Sequence, residues 1–327
     1  MLKKDIGLLI LILVVGTVVA IINPLFISPI NIANTANLVG LFGIFAIGQA
    51  FVIITGGIEL SVGSIIALLG VLFVDLMVNH GVAWPVALGL MLVLGAVMGL
   101  AHGLLITRLH LQPFIVTLCG LLIYRGAARY YTADGTAGFA FGDSFPTLEW
   151  LTTGRTLGIP HSMFAFVVIA VVMWVVLHRS VFGRYLFAVG KNEEAARYSG
   201  VPTNKVIVAS YVICGVLTAI SAIFFAMYTR SISPSSHGNF YELYAIAASV
   251  LGGFSLRGGE GSIVGVVLGS ILLQILQNLV NLLGIPSSLN FAVMGSVILI
   301  GVLADTQFAE YRKRKAAAKG AAGRESA

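Results

Sequence analysis

The chain has 327 residues, of which 58% are hydrophobic and 10% charged, with a formal net charge of +6. Soluble domains carry about 25% charged residues, so this composition excludes a soluble globular protein and leaves little room for a separate soluble domain. Nor does the positive charge point to nucleic acid: six of the 19 Lys and Arg residues (Arg312, Lys313, Arg314, Lys315, Lys319 and Arg324) form a tail suited to an inner-leaflet anchor.

Residues 1–22 join Lys3 and Lys4 to a long apolar run, and Val18-Val-Ala20 resembles a signal-peptide cleavage site. With many later spans to insert, an uncleaved first helix is the expectation. A crossing helix needs ~20 mainly apolar residues. That rule predicts spans near 6–22, 38–55, 61–79, 82–106, 113–131, 161–178, 206–228, 242–254, 262–284 and 289–304. The expected fold is therefore all-α: one polytopic transmembrane domain over 1–327, with about ten helices (eight to ten), broken or re-entrant segments, and a basic tail over 305–327. The 242–254 segment is too short to cross and reads as half of a broken helix. In 113–131, Arg125 and Arg129 lie one turn apart. They would snorkel, line a wet cavity, or mark a helix that ends early.

Ten crossings from an inside N-terminus put fifteen cations inside and four (Arg125, Arg129, Arg155, Arg230) outside. That bias places both termini and the 178–205 loop in the cytoplasm, and 132–160 outside as a lid or docking surface. Cys119 and Cys214 read as small buried hydrophobes.

Within 178–205, Asn192 to Ser199 predicts one short amphipathic helix. Asn192 is its N-cap, Glu193 and Glu194 sit in the first turn, Arg197 in the last, and Gly200 then Pro202 stop it. It is either a solvated loop or a rigid docking element that includes Lys191, Ala195 and Gly200.

A weak repeat links Gly56-Gly57-Ile-Glu59-Leu-Ser61, then Gly63-Ser-Ile65, to Gly252-Gly253-Phe-Ser-Leu256, then Gly261-Ser-Ile263. Gly-interrupted segments in two halves point to a transport site, because broken helices expose backbone only where they line a cavity. Ten crossings make the copies parallel; one crossing fewer makes them inverted. Glu59, at a Gly-flanked break, is either an interfacial acid in a tight turn or a ligand of the pathway. Gln274, Gln277, Asn278 and Asn281 form a polar stripe that suits sugar hydroxyls or, preferably, helix packing at a dimer seam.

Leu256-Arg-Gly-Gly-Glu-Gly-Ser262 is not a phosphate loop. The chain has no Gly-x-x-x-x-Gly-Lys-Ser/Thr, no His-Glu-x-x-His and no Gly-x-Ser-x-Gly, so nothing in it predicts an enzyme or a nucleotide site.

Three stretches resemble one family: Gly56-Gly-Ile-Glu-Leu-Ser-Val-Gly-Ser64, the 183–200 loop, and Tyr241-Glu-Leu-Tyr-Ala-Ile-Ala-Ala-Ser-Val-Leu-Gly-Gly253 with Gly258-Gly-Glu-Gly-Ser-Ile-Val-Gly265. They look like the permease subunits of bacterial ABC importers for simple sugars, of the ribose, xylose and galactose type, from about residue 25 to 305. Glu59, where many relatives carry Asp, and Glu260, often Lys in the ribose type, bear on which sugar rather than on the class. The resemblance implies a bacterial inner-membrane protein that works as a homodimer or with a paralogue. It implies cytoplasmic ATPase subunits that hold ATP and Mg, and a periplasmic binding protein that delivers a monosaccharide. It further implies that the Lys191–Gly200 helix sits in a cleft of the ATPase. The competing expectation is a self-sufficient carrier that moves a proton through Glu59.

Overall fold

A computed structural model describes residues 2–286 together with 289, 292, 295, 296 and 299. The predicted span 289–304 lies largely outside the described residues, and the basic tail wholly so.

Helix α1 (Leu2–Ile22) leads through a 3-10 turn to α2 (Pro29–Ile53). The latter starts nine residues before the predicted span because Pro29 is preset for a first helical position and the Ser28 hydroxyl accepts the Asn31 N–H. Polar Asn31, Asn34 and Asn37 follow, which hydropathy alone reads as loop. Next come α3 (Val62–Val78), α4 (Trp84–Arg108) and α5 (Pro113–Tyr131). The α5 helix is unbroken through both arginines, so it does not end early.

The 132–160 connection carries β1 (Ala137–Gly138), α6 (Pro146–Thr153), β2 (Arg155–Thr156) and β3 (Ile159–Pro160). Helix α7 (His161–Arg179) turns sharply into α8 (Val181–Lys191) and α9 (Glu193–Tyr198), and α10 (Thr203–Thr229) returns. A two-residue strand, β4 (Ser231–Ile232), pairs antiparallel with β1; α11 (Tyr241–Leu251) and α12 (Ile263–Leu282) follow.

Among the described residues, α1, α2, α4, α7, α10 and α12 are long and apolar enough to cross a membrane; α3 and α11 are apolar but shorter. Helix α2 is the axis, 78% buried where α1 is 11% buried. Around it the backbones come very close. Gly95, Gly99 and Gly103, four apart on α4, let that helix touch α10 at Gly215, Tyr211 and Val208. Small residues at this spacing are the usual device for tight packing in lipid, where hydrophobicity gives no drive between helices.

Two expectations are corrected. The 178–205 connection holds two helices, since α8 precedes the predicted one; its Gly183, Leu186 and Val189 bury one stripe. Cys214 is buried as expected, but Cys119 is exposed on α5.

The tightest point is where α8 ends. A Cβ on Gly190 would lie 1.9 Å from the Ile54 carbonyl oxygen and 2.3 Å from the Gly259 nitrogen. Gly190→Val should lower the unfolding midpoint of the detergent-solubilised protein, at a cost of about 1–3 kcal/mol of overpacking or more. Gly89→Ala, where a Cβ meets nothing within 4 Å, should leave it unchanged or raised. Equal midpoints for the two variants would contradict the packing at Gly190.

Candidate coupling and translocation site

The first helix break spans 54–61 between α2 and α3, and the second spans 252–262 between α11 and α12. Gly56 at φ +80° and Gly253 at φ +87° make turns that a side chain resists. The breaks touch: the Gly259 N–H donates to the Ile54 carbonyl at 2.8 Å. Helices α2 and α11 approach them in the same direction, Tyr241 lying against Phe42 and Phe45 and the Ser249 hydroxyl near Ala46. The two copies of the repeat are therefore parallel and adjacent.

Glu59 is buried at 3% exposure. One carboxylate oxygen accepts the Ser61 N–H (2.8 Å) and hydroxyl (2.6 Å), and the other meets His102 Nδ1 on α4 at 2.7 Å. His102 Nε2 lies 3.0 Å from the Tyr124 hydroxyl of α5. The Gln49 amide, oriented by the groups it faces, accepts the Glu59 N–H (3.2 Å) and donates to its carbonyl (3.0 Å). The Tyr211 hydroxyl donates to the Ile58 carbonyl (3.2 Å), which the Thr117 hydroxyl also approaches (3.3 Å) while lying 2.9 Å from the Pro113 carbonyl of its own helix. Four helices thus satisfy an irregular segment that has no ladder of its own. Sequence reasoning singled out Glu59 and Ser61 but missed Gln49, His102, Thr117, Tyr124 and Tyr211, which are dispersed over about 160 residues.

Helix α9 forms as its caps dictate. Asn192 Oδ1 accepts the Ala195 N–H at 2.9 Å, Arg197 pairs with Glu193 at 2.5 Å, and Gly200 at φ +82° closes the end. Ala196 is buried beneath it, while Glu194 is exposed and Tyr198 is 92% exposed. Tyr198, not singled out beforehand, is the largest projection on this face. Lys191, where α8 meets α9, pairs with Glu260 of the second break at 2.6 Å.

Two clefts flank this pair of helices. One of about 350 Å³ has Gly56 and Gly57 in its wall beside Glu193 and Arg197. The other, about 290 Å³, is lined by Gly252, Gly253 and Glu260. The stripe on α12 lies elsewhere: Asn278 exchanges hydrogen bonds with Asn31 (2.8 and 3.0 Å), Gln277 accepts from the Tyr244 hydroxyl (2.9 Å), and Gln274 is buried. Among the described residues no cluster of three His, Cys, Asp or Glu is arranged to hold a metal.

At the far end, Arg230 caps α10 and bonds Glu149 at 2.8 Å and the Asp143 carbonyl at 2.7 Å, tying down the 132–160 connection. After α5, the Arg129 hydrogen bond holds the Asp134 carboxyl below its ordinary range.

Residues 31–302 match a family described as "Branched-chain amino acid transport system / permease component", and the chain belongs to that family. It is 37% identical over 305 residues to the ribose import permease protein RbsC of Escherichia coli, covering 93% of each chain. With its Bacillus subtilis counterpart it shares 42% over 299 residues, 91% of this chain and 90% of the other. It is also 35% identical over 263 residues to the autoinducer 2 import system permease protein LsrD of an Enterobacter species, 79% of each. No solved structure matches.

If the Glu59–His102 contact holds the first break, the two residues should act as a unit. Glu59→Gln and His102→Ala should each lower stability by about 1–3 kcal/mol, with the double variant losing clearly less than the sum. Thermal unfolding in detergent checks this; additive losses would show that the two do not cooperate.

Proposed function

We propose that this chain is the membrane permease subunit of an ATP-driven importer that carries a simple sugar, of the pentose kind, across the bacterial inner membrane. The observation that carries the reading is α9. It is a capped, charged, surface helix with a protruding tyrosine, and it follows α8, whose Gly190 packs against both breaks, in a sequence with no phosphate loop. Relatives matched over about nine-tenths of their length are named for ribose import, which favours sugar over the amino acids of the family's broader title.

In this account ten segments cross or enter the membrane, with both termini and α8–α9 in the cytoplasm and 132–160 outside. A cytoplasmic ATPase, which holds ATP and Mg, receives α9 through Lys191–Gly200. A periplasmic binding protein delivers the sugar to the outer connection, and a second permease copy or paralogue completes the path through the bilayer. Gly56, Gly57, Glu59, Ser61, Gly252 and Gly253 would form the moving wall of that path, with Gln274 and Asn278 behind it. A proton-coupled carrier is disfavoured because the relatives are named as permease proteins of import systems and the family as a transport-system permease component.

Gly200→Val, Glu194→Arg and Tyr198→Ala should each leave membrane insertion and binding-protein capture intact. Co-purification with the ATPase, or sugar-stimulated ATP hydrolysis, should fall by about tenfold, since a few aromatic anchors carry most of the energy of such interfaces and a reversed charge opposes encounter. Normal coupling in all three variants would make α9 a solvated loop.

A further inference from the structure

The loop between β4 and α11 spans residues 233–240. Arg125 holds it: its guanidinium donates to the carbonyls of Pro234 (2.7 Å) and His237 (2.5 Å). Arg125 stands twelve residues into α5, and Tyr241, which follows the loop, packs on Phe42 and Phe45, thirteen and sixteen residues into the 25-residue α2, so the loop lies level with the middle part of a helix long enough to cross a bilayer core of about 30 Å. From the other side, Gly238 abuts the first turn of α3, where a Cβ on Gly63 would lie 1.9 Å from its carbonyl oxygen. The loop is therefore clamped at mid-depth rather than draped over an end.

Yet Ser235, Ser236, Asn239 and Phe240 are exposed. Irregular backbone with hydroxyl and amide side chains cannot face hydrocarbon, which offers no hydrogen bonds; it persists at this depth only against protein or along a water-filled cavity. Its chemistry is also selective. Arg125 is committed to carbonyls, Glu242 is 8% exposed, and no charged side chain occupies the exposed positions. What the loop presents is neutral: two serine hydroxyls, of which that of Ser235 shares a hydrogen bond with the Ser233 hydroxyl at 3.0 Å, an asparagine amide whose nitrogen already bonds the Ser235 carbonyl, and Phe240, 46% exposed. Behind it, His237 Nε2 is buried with no hydrogen-bond partner among the described residues.

We propose that residues 235–240 form a contact station for a neutral polyhydroxylated solute in the translocation path. Ser235, Ser236 and the Asn239 carbonyl oxygen hydrogen-bond its hydroxyls, and the Phe240 ring packs on its C–H face. An amino acid would need partners for two charges, which the loop does not supply. This rests on the sugar-import reading and extends it to named residues.

The test uses the complete importer, with ATPase and binding protein, in proteoliposomes, after both native cysteines are replaced by serine. Ser236→Cys should react with a charged, water-soluble thiol reagent, and D-ribose, but not L-leucine, should slow the reaction. Phe240→Leu should raise the KM for D-ribose uptake about tenfold with kcat unchanged, while Phe240→Tyr should behave as the parent. Reaction of the introduced thiol with lipid-soluble reagents only, or disulfide formation between two copies in place of labelling, would overturn the station. So would protection by L-leucine instead of D-ribose. Failure of the parent importer to move D-ribose at all, with the introduced thiol still open to water, would instead count against the sugar reading.

Discussion

A backbone amide in hydrocarbon must find a partner within the protein, and the strongest constraint on this molecule follows from that. Two helices are interrupted near the same face, and each interruption frees N–H and carbonyl groups. They satisfy one another through the Gly259 N–H to Ile54 carbonyl bond, and Gly190 of α8 presses directly on the pair. Three segments can meet at this distance only because glycines stand at the contact. The consequence is mechanical: α8 and α9 are not an appendage of the membrane part but the third wall of the junction between its breaks. Movement of α8 must either carry both breaks with it or open the close contacts that Gly190 makes with Ile54 and Gly259.

A second anchoring system holds the opposite end. Arg230 ties α10 to Glu149, β1 pairs with β4, and β4 runs straight into the loop clamped by Arg125. Pressure on the 132–160 connection therefore reaches the interior through very few residues. Between the two systems, α2 is the fixed element. Its buried face packs against α11 and α12 as well as α4's partner α10, and its Gln49 grips Glu59.

Much of this was legible in the sequence. Hydropathy placed nine of the helices to within a few residues, apart from the early start of α2 that Ser28 and Pro29 set. The Asn192 cap and Gly200 stop foretold α9, because capping is local chemistry. The Gly-Gly repeat located both breaks, again because a turn at positive φ announces itself. What the sequence did not yield were contacts made across long separations. His102 reads as an isolated histidine in an apolar helix until α4 is packed beside the first break. Arg125 was ambiguous among three environments, and only the fold supplied the carbonyls it holds. Helix α8 was missed because its stripe of Gly183, Leu186 and Val189 is too short for a span and was absorbed into a loop. Exposure of Cys119 depends on which face of α5 the bundle leaves uncovered, which periodicity alone does not reveal.

The central claim is that α8–α9 and the two breaks move as one body. Hydrogen–deuterium exchange on the reconstituted importer, compared between its resting state and a state trapped with ATP on the ATPase, tests it most directly. The account predicts that peptides covering 186–198, 54–61 and 252–262 change protection together, with the Gly259 amide among those altered. A change confined to the α9 peptide, with both break peptides unaffected, would contradict it.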